Sequence, residues 1–571
     1  MFVVAKDGTG DFETVQAAVD ALPGGNRAPT LLLIKNGVYR ERVVVHKDNL
    51  RIVGEDREKT VITWSACAKD LNPDGTPRGT FLSASLLVTG RNVEFENLTV
   101  RNDAGDGRQA GQAVAVYAAG DRGVWRNCAF IAHQDTLFCG PVMPKVEADA
   151  APRNGRAECV MSVGDCPATA GRQYFEDCFI QGDIDFIFGP YRCWFERCTL
   201  FMNARGGYYT AANTPEAQPY GLVFHRCRLT GECGEGEAFL GRPWRAYART
   251  VFLECEMDAC VAPEGFRDWD EQRRITDRCG EWNTTGERKD LRARHPAEKR
   301  LSAEEAAVLT IPEAIGGCDG WRPDRRIPTW FLCGDSTMAD YPPEAYPMTG
   351  WGQKLQALLP EGVFVQNEAV NGRSSKSFID EGRLSVVDLC LRAGDKLVIS
   401  FGHNDEKQDE HRHTSPWGTY QDTLKRYIGL ARSRWAEPIL VTSIARRHFD
   451  DEGHPVPTHR EYPAAMRALA AELNVRLVDL ESATMELLAS AGVEGSRRIY
   501  CHVPEGTVNY PDGKADNSHL HERGAIRIAQ LFLAGLSGTK WTGSSQRTVA
   551  QNSFEDLISR EDDILKPGDG R

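Results

Sequence analysis

Two aspartates raise the first chemical question. Asp135 sits in HQDTLF (133–138), and Asp185 sits in QGDIDFIFGP (181–190), where it runs straight into Phe186-Ile187-Phe188. A lone carboxylate buried beside such an apolar run is costly unless something pairs with it. Two adjacent carboxylates cannot easily both ionise, so one holds a proton while the other stays charged. That division suits a nucleophile and a general acid. Arg242 in LGRPW (240–244) offers a planar guanidinium that can hold Asp185 bidentately and keep it negative. Gln112 in GQAVAV and Gln134 in HQDTLF supply amide donors for a developing oxyanion. Asp183 reads as a turn or hydrogen-bonding residue. A second set lies later: Ser336 in GDSTMAD, Gly372 in NEAVNGRSS, Asn404 in GHND, and Asp516 three residues before His519 in DNSHLHERGA.

The first set needs a scaffold that brings residues 50 apart side by side. A six-residue pattern supplies one: aromatic, two mostly polar residues, Cys, any residue, apolar. It occurs as WRNCAF (125–130), FEDCFI (175–180), FERCTL (195–200), FHRCRL (224–229) and FLECEM (252–257), with FENLTV (95–100) carrying Leu98 in place of cysteine. The positions 98, 128, 178, 198, 227 and 255 are separated by 30, 50, 20, 29 and 28 residues. A strand repeated every 20–30 residues is the signature of a stacked solenoid. In a parallel β-helix the cysteines would line up inside as small packing residues, since no close CxxC or Cys/His pairs suggest zinc. Looping out the Pro-, Gly- and Ala-rich stretch near 139–171 restores the normal coil and places Asp135 one rung from Asp185.

The second set needs a different frame. After a charged, Pro/Gly-punctuated stretch from 284 to 328, interrupted by a short helix at 302–309, strand-like runs begin at 329–334, 363–370, 396–402, 437–444 and 475–480. Helical patterns at 353–359, 464–473 and 524–536 alternate with them. This rhythm predicts a doubly wound parallel sheet between helix layers, with chemistry in the loops at the strands' carboxyl ends. The boundary falls near residue 324, giving domains 1–323 and 324–571. No GxGxxG follows the first strand, so dinucleotide binding is not expected. The last stretch, from about 537, is polar with one short amphipathic segment.

Composition bounds the rest. The chain has 571 residues, too many for one ordinary core, and 41% hydrophobic and 26% charged residues, as in soluble globular proteins. A net charge of −13 argues against nonspecific binding to nucleic acid or anionic membrane, and a polyanionic substrate would need local arginines to grip it. No stretch reaches membrane-span length. The start, MFVVAKDGTGDFETVQ, lacks the layout of a signal peptide, which points to the cytoplasm, or to secretion if a leader has been removed.

With these motifs in order, together with DGTGDFETVQAA (7–18), NGVYRERV (36–43) and GTFLSASLLV (79–88), the first half resembles the pectin methylesterase family up to DGWRP (319–323). The resemblance implies a right-handed parallel β-helix, with Asp185 as nucleophile, Asp135 as acid then base, Gln112 and Gln134 on the oxyanion, and Arg242 orienting Asp185. Trp244 and Phe186 would offer flat faces to a sugar ring. Residues 329 to about 536 resemble the SGNH (GDSL-like) hydrolases of flavodoxin-like three-layer α/β fold, in the rhamnogalacturonan acetylesterase branch. That likeness implies Ser336 as nucleophile, His519 as base and Asp516 as its orienting acid. The N–H groups of Ser336 and Gly372, with the Asn404 side chain, would form the oxyanion hole. His403 and His521 are near neighbours that could be mistaken for the base. Together the two halves imply a bifunctional carbohydrate esterase, with no metal or cofactor, acting on methyl and acetyl esters of homogalacturonan and rhamnogalacturonan. The alternatives are a β-helix that cleaves glycosidic bonds or only binds pectin, fused to an SGNH esterase of other acyl specificity. The glutamine pair favours the ester, because an oxyanion needs donors and an oxocarbenium ion does not.

Overall fold

The computed structural model describes residues 2–22, 29–141, 171–360 and 362–538. The chain forms two compact units, Met1–Arg326 and Ile327–Arg571. No described helix is long and apolar enough to cross a membrane.

In the first unit short strands stack into parallel sheets of eleven, nine and seven strands, consistent with a right-handed β-helix. The six-residue pattern is the corner between the eleven- and nine-stranded sheets. In one coil it joins the strand Gly123–Arg126 to the strand Ala129–Ile131. The residue before each ladder position is left-handed: Asn97 (φ 58°), Asn127 (47°), Asp177 (54°), Arg197 (50°), Arg226 (54°) and Glu254 (53°). Asn and Asp visit this region readily, whereas Arg and Glu do so under strain. Here those longer corner residues pair between coils, Arg197 with Asp177 (3.0 Å) and Arg226 with Glu254 (2.9 Å).

Each corner turns the next residue inward. Leu98, Cys128, Cys178, Cys198, Cys227 and Cys255 are all buried, and the five thiols are free. Cys198, Cys227 and Cys255 each donate to the carbonyl of an aromatic residue one coil back, Phe175, Phe195 and Phe224, at 3.7, 3.4 and 3.5 Å. Those aromatics form a stack from Phe95 through Trp125, Phe175, Phe195 and Phe224 to Phe252, with ring centroids 4.2, 6.0, 4.5, 4.4 and 4.7 Å apart. The coil spanning 50 residues closes like its neighbours. Ala129 pairs with Phe179 and Leu137 with Ile187, each 50 residues on. Most of the 139–171 segment lies outside the described residues.

Part of the stretch between the domains belongs to the solenoid. The helix Ala303–Val308 begins on a Ser302/Glu305 capping box. Its Ala306 and the following Leu309 pack with Tyr174 and Trp194 on the outer face of the eleven-stranded sheet. Arg172, 3% exposed, then fastens the chain after that helix, donating to Asp319 (2.6 and 2.8 Å), the Gly316 carbonyl (3.0 Å) and Asp121 (3.0 and 2.8 Å).

The second unit has a five-stranded parallel sheet, in spatial order Phe364–Asn367, Thr329–Gly334, Lys396–Ser400, Glu437–Val441 and Arg476–Val478. That order, with the first strand second, is the flavodoxin-like winding. Trp351, Leu355, Leu488, Ile528 and Phe532 from three helices cover one face through Leu332, Val398 and Ile439. Alternate strand residues Phe331, Leu397 and Leu440 are equally buried and point the other way, which makes three layers. An antiparallel hairpin, Tyr500–Val503 with Lys514–Leu520, precedes the last described helix, Glu522–Leu536.

Candidate active sites

In the solenoid both aspartates sit on turns that link the nine- and seven-stranded sheets. Asp135 lies between the strands Ala129–Ile131 and Leu137–Cys139, and Asp185 between Phe179–Gly182 and Ile187–Gly189. Both are left-handed, φ 67° and 52°, in a conformation that Asp tolerates. The Asp135 N–H donates to the Ile184 carbonyl at 3.1 Å, so the two turns stack on consecutive coils. Asp135 is 8% exposed and Asp185 5%.

Arg242 follows the strand Ala238–Gly241 and holds Asp185 bidentately, Nε to Oδ1 at 2.9 Å and Nη2 to Oδ2 at 2.7 Å. Its guanidinium is sandwiched between Trp269, 3.8 Å from the ring centroid, and Tyr208, 4.2 Å. Burial pushes the Asp185 carboxyl up, and Arg242 pulls it back. Burial, and then the charge of Asp185, push the Asp135 carboxyl well above the usual carboxylate range. Of the two, only Asp185 has a cation bonded to it among the described residues, so the pair settles with Asp185 charged and Asp135 protonated.

Gln112 and Gln134 form a parallel bridge of their own, and both are half-buried. Neither side-chain amide hydrogen-bonds another described residue, which leaves both donors available. Trp244 is half-buried beside Phe188, with ring centroids 5.9 Å apart. Phe186 does not face the site. It is fully buried, its ring 5.4 Å from that of Tyr209 in the core. Asp185 is left-handed and lies before the strand, and the chain beyond it turns Phe186 and Ile187 into the core together. Asp183 is 7% exposed and lies 3.0 Å from His133 Nδ1. Tyr208 and Trp269 are the functional residues that sequence reasoning missed. The signal for Trp269 was one aromatic in the charged loop FRDWDEQRR (266–274), which a search for acids and amides passes over.

In the second unit Ser336 sits in the turn after the strand Thr329–Gly334. Its Oγ is 2.9 Å from His519 Nε2, and His519 Nδ1 is 2.8 Å from Asp516 Oδ2. Asp516 also accepts the N–H groups of Ser518 and His519, both at 2.9 Å. Against the upward push of burial, the His519 bond and these N–H groups hold the Asp516 carboxyl far below the ordinary range. His403 is buried against His459 and His521 caps the last helix, so neither meets the serine.

Gly372 is left-handed (φ 77°), and no hydrogen bond among the described residues engages the N–H of Ser336 or Gly372. Asn404 donates one Nδ2–H to the Arg373 carbonyl at 3.0 Å, which fixes the amide plane and leaves its second N–H. Asp405, buried and pushed up to about 6 by burial, ties these two loops together. It accepts from Ser375 Oγ (2.5 Å) and Thr414 Oγ1 (3.0 Å). Asp335, also buried, accepts the Thr337 N–H at 2.9 Å and shapes the turn that carries Ser336. Both acids lie inside the motifs already singled out, yet nothing in the residue types told a loop brace from a reacting group.

Residues 1–141 and 166–317 match the Pectinesterase family, and residues 332–525 match the GDSL-like Lipase/Acylhydrolase family. The chain is 45% identical over 207 residues to the rhamnogalacturonan acetylesterase RhgT of Bacillus subtilis, covering 36% of this chain and 88% of that one. It is 33% identical over 275 residues to pectinesterase 31 of Arabidopsis thaliana, covering 47% and 77%. Among solved structures, the pectin methylesterase from carrot is 28% identical with a TM-score of 0.46, covering 56% of this chain and 93% of that one. A carboxylate pair set by an arginine therefore stands in one unit and a serine–histidine–aspartate chain in the other: the protein belongs to the pectinesterase family through its solenoid, and to the GDSL-like acylhydrolases through its α/β unit.

Proposed function

We propose that the chain is a two-site carbohydrate esterase, demethylating galacturonate esters of homogalacturonan in the solenoid and deacetylating rhamnogalacturonan in the α/β unit. The observation that carries the first assignment is the bidentate Arg242–Asp185 pair beside a protonated Asp135. Asp185 attacks the ester carbonyl, and the charge that develops on the carbonyl oxygen falls to the amides of Gln112 and Gln134. Asp135 gives its proton to the departing methoxide, which leaves as methanol. The resulting carboxylate then takes a proton from water, which opens the mixed anhydride and returns Asp185 to its charged form.

The second assignment rests on the 2.9 and 2.8 Å links from Ser336 through His519 to Asp516. His519 takes the Ser336 proton as Oγ attacks the acetyl carbonyl, then gives it to the sugar hydroxyl that leaves. Water repeats the sequence and releases acetate. The pairing of activities draws on the named relatives: one is a pectinesterase and the other a rhamnogalacturonan acetylesterase.

One experiment tests both assignments. On methylated, acetylated pectin, full-length Asp185→Asn should lose methanol release and keep acetate release, and Ser336→Ala should do the reverse. Near-normal methanol from Asp185→Asn, or near-normal acetate from Ser336→Ala, rejects the corresponding nucleophile.

A further inference from the structure

One titratable pair at the solenoid site has no part in the chemistry above. His133 immediately precedes Gln134 and lies two residues before Asp135, while Asp183 lies two residues before Asp185. Across the coils His133 Nδ1 is 3.0 Å from Asp183 Oδ2, and the Asp183 N–H donates to the His133 carbonyl at 3.0 Å. Asp183 Oδ1 accepts the Ile184 N–H at 2.8 Å. The carboxylate is nearly sealed from solvent, whereas the imidazole is 35% exposed and open to it.

The same ring nitrogen faces a second partner, Asn203 Nδ2, at 3.2 Å. A protonated Nδ1 donates to Asp183, and a bare Nδ1 accepts from Asn203, so the surroundings serve both states. The other charge facing the imidazole is Asp106, which pairs with Arg205 at 3.3 Å and caps the short Gly107–Ala110 helix. The bond to Asp183 holds the imidazole above its ordinary value, against burial, which lowers it.

We propose that His133 is a charge-compensating positioning residue for the solenoid site: protonated it cancels Asp183, and deprotonated it leaves a buried negative charge beside Gln134 and both aspartates. The inference rests on Asp135 and Asp185 being the reacting pair. An uncancelled carboxylate opposes the oxyanion of the transition state and repels an anionic uronate chain. A unit charge at roughly 8 Å, with an effective dielectric of about 20, slows such a step roughly thirtyfold. Because deprotonation uncovers the charge, methanol release falls as pH rises through the His133 titration, while acetate release is unaffected by that titration.

The test is kcat/KM for methanol release between pH 5 and pH 9 for the full chain, His133→Gln, Asp183→Asn and the double variant. His133→Gln should be slow at all pH values, near the wild-type alkaline level, because Asp183 is bare throughout. Asp183→Asn, which keeps the oxygen that receives the Ile184 N–H, should lose the alkaline fall. The double variant should recover most of the His133→Gln loss. An NMR titration of His133, assigned by its disappearance in His133→Gln, should move to lower pH in Asp183→Asn. A His133→Gln profile that matches wild type, an Asp183→Asn profile that keeps the alkaline fall, or a double variant as slow as His133→Gln overturns the proposal. Asp185→Asn separates the two levels: methanol release in that variant refutes the reacting pair, whereas its loss alongside an unchanged His133→Gln profile refutes only the role of His133.

Discussion

Replacing Arg242 with Met removes the one cation bonded to Asp185 while keeping a straight, polarisable side chain between Tyr208 and Trp269. Asp185 is 5% exposed, so water cannot take over the lost bonds. Removing one partner of a buried ion pair costs about 3–5 kcal/mol. A carboxylate has a cheaper escape, which is to take a proton, and about 3 kcal/mol corresponds to a shift of about two pH units. Burial already pushes this carboxyl up, so the variant titrates higher still. At the pH where half of wild type is charged, about one variant molecule in a hundred carries the carboxylate. Methanol release should fall by up to about a hundredfold at the acid end of the profile and recover about tenfold per pH unit until the shifted value is passed. Arg242→Lys keeps the charge but loses the bidentate grip, so its rate should drop with little movement of the acid limb. Linkage gives a second readout. A carboxyl whose folded pKa exceeds its unfolded value stabilises the fold below the unfolded value, and that contribution is lost as pH rises through the folded one. The Met variant should therefore lose stability with rising pH more steeply than wild type, with acetate release as an internal control for folding. A Met variant that keeps the wild-type acid limb would refute the claim that Arg242 maintains the charge.

Two further outcomes follow from the geometry. Asp516→Asn leaves the loop intact but removes the charge that fixes the His519 ring, and acetate release should fall by about three to four orders of magnitude with methanol release unchanged; a loss under tenfold would show that the imidazole is oriented by something else. Phe195→Ala removes a fully buried ring stacked 4.5 Å from Phe175 and 4.4 Å from Phe224, and should destabilise the solenoid by about 3–5 kcal/mol in denaturant unfolding. A change below about 1 kcal/mol would mean that burial of this ring contributes little to the stability of the solenoid.

The stacking of coils was legible because one physical unit repeats. Six successive coils share an inward aromatic, a left-handed corner and an inward Leu or Cys, and that unit is what repeats. The spacing of 50 did not hide it, since Asp135 and Asp185 keep the same offset as Ala129 and Phe179. The left-handed corner residue was not legible, because Arg197, Arg226 and Glu254 are not types that favour positive φ. Only the completed coils, with their ion pairs between successive corners, explain those choices. The short helix after residue 302 looked like an interruption in a linker. Its buried Ala306 and the Arg172 clasp beyond it make it part of the solenoid wall, a fact that depends on partners more than 100 residues away. The hairpin that carries Asp516 and His519 was hidden for a similar reason: DNSHL has the composition of a loop, and only pairing with Tyr500–Val503 makes it a strand.

Polar site residues and aromatic ones differed in how far sequence could place them. A carboxylate, amide or guanidinium next to an apolar run is costly to bury, so its presence there demands a partner and narrows the possible roles. That logic brought Asp185 to Arg242 across 57 residues, whereas Ser336 and His519, 183 residues apart, were joined only by what the family resemblance implied. An aromatic ring carries no such demand, because it is equally at home in a core, on a substrate face or against a cation. Phe186 and Trp269 show both errors: the ring next to the nucleophile turned into the core, and one from a remote charged loop came to lie on the guanidinium. The left-handed turn at Asp185 decides the first, since the chain leaving it sends Phe186 into the core together with Ile187. The second requires knowing which loop returns to Arg242. A ring on the far side of that guanidinium excludes water from the cation's face, which strengthens its hold on Asp185. Trp269 and Tyr208 thus belong to the same electrostatic device as the aspartates, although neither carries a charge by which sequence could have found it.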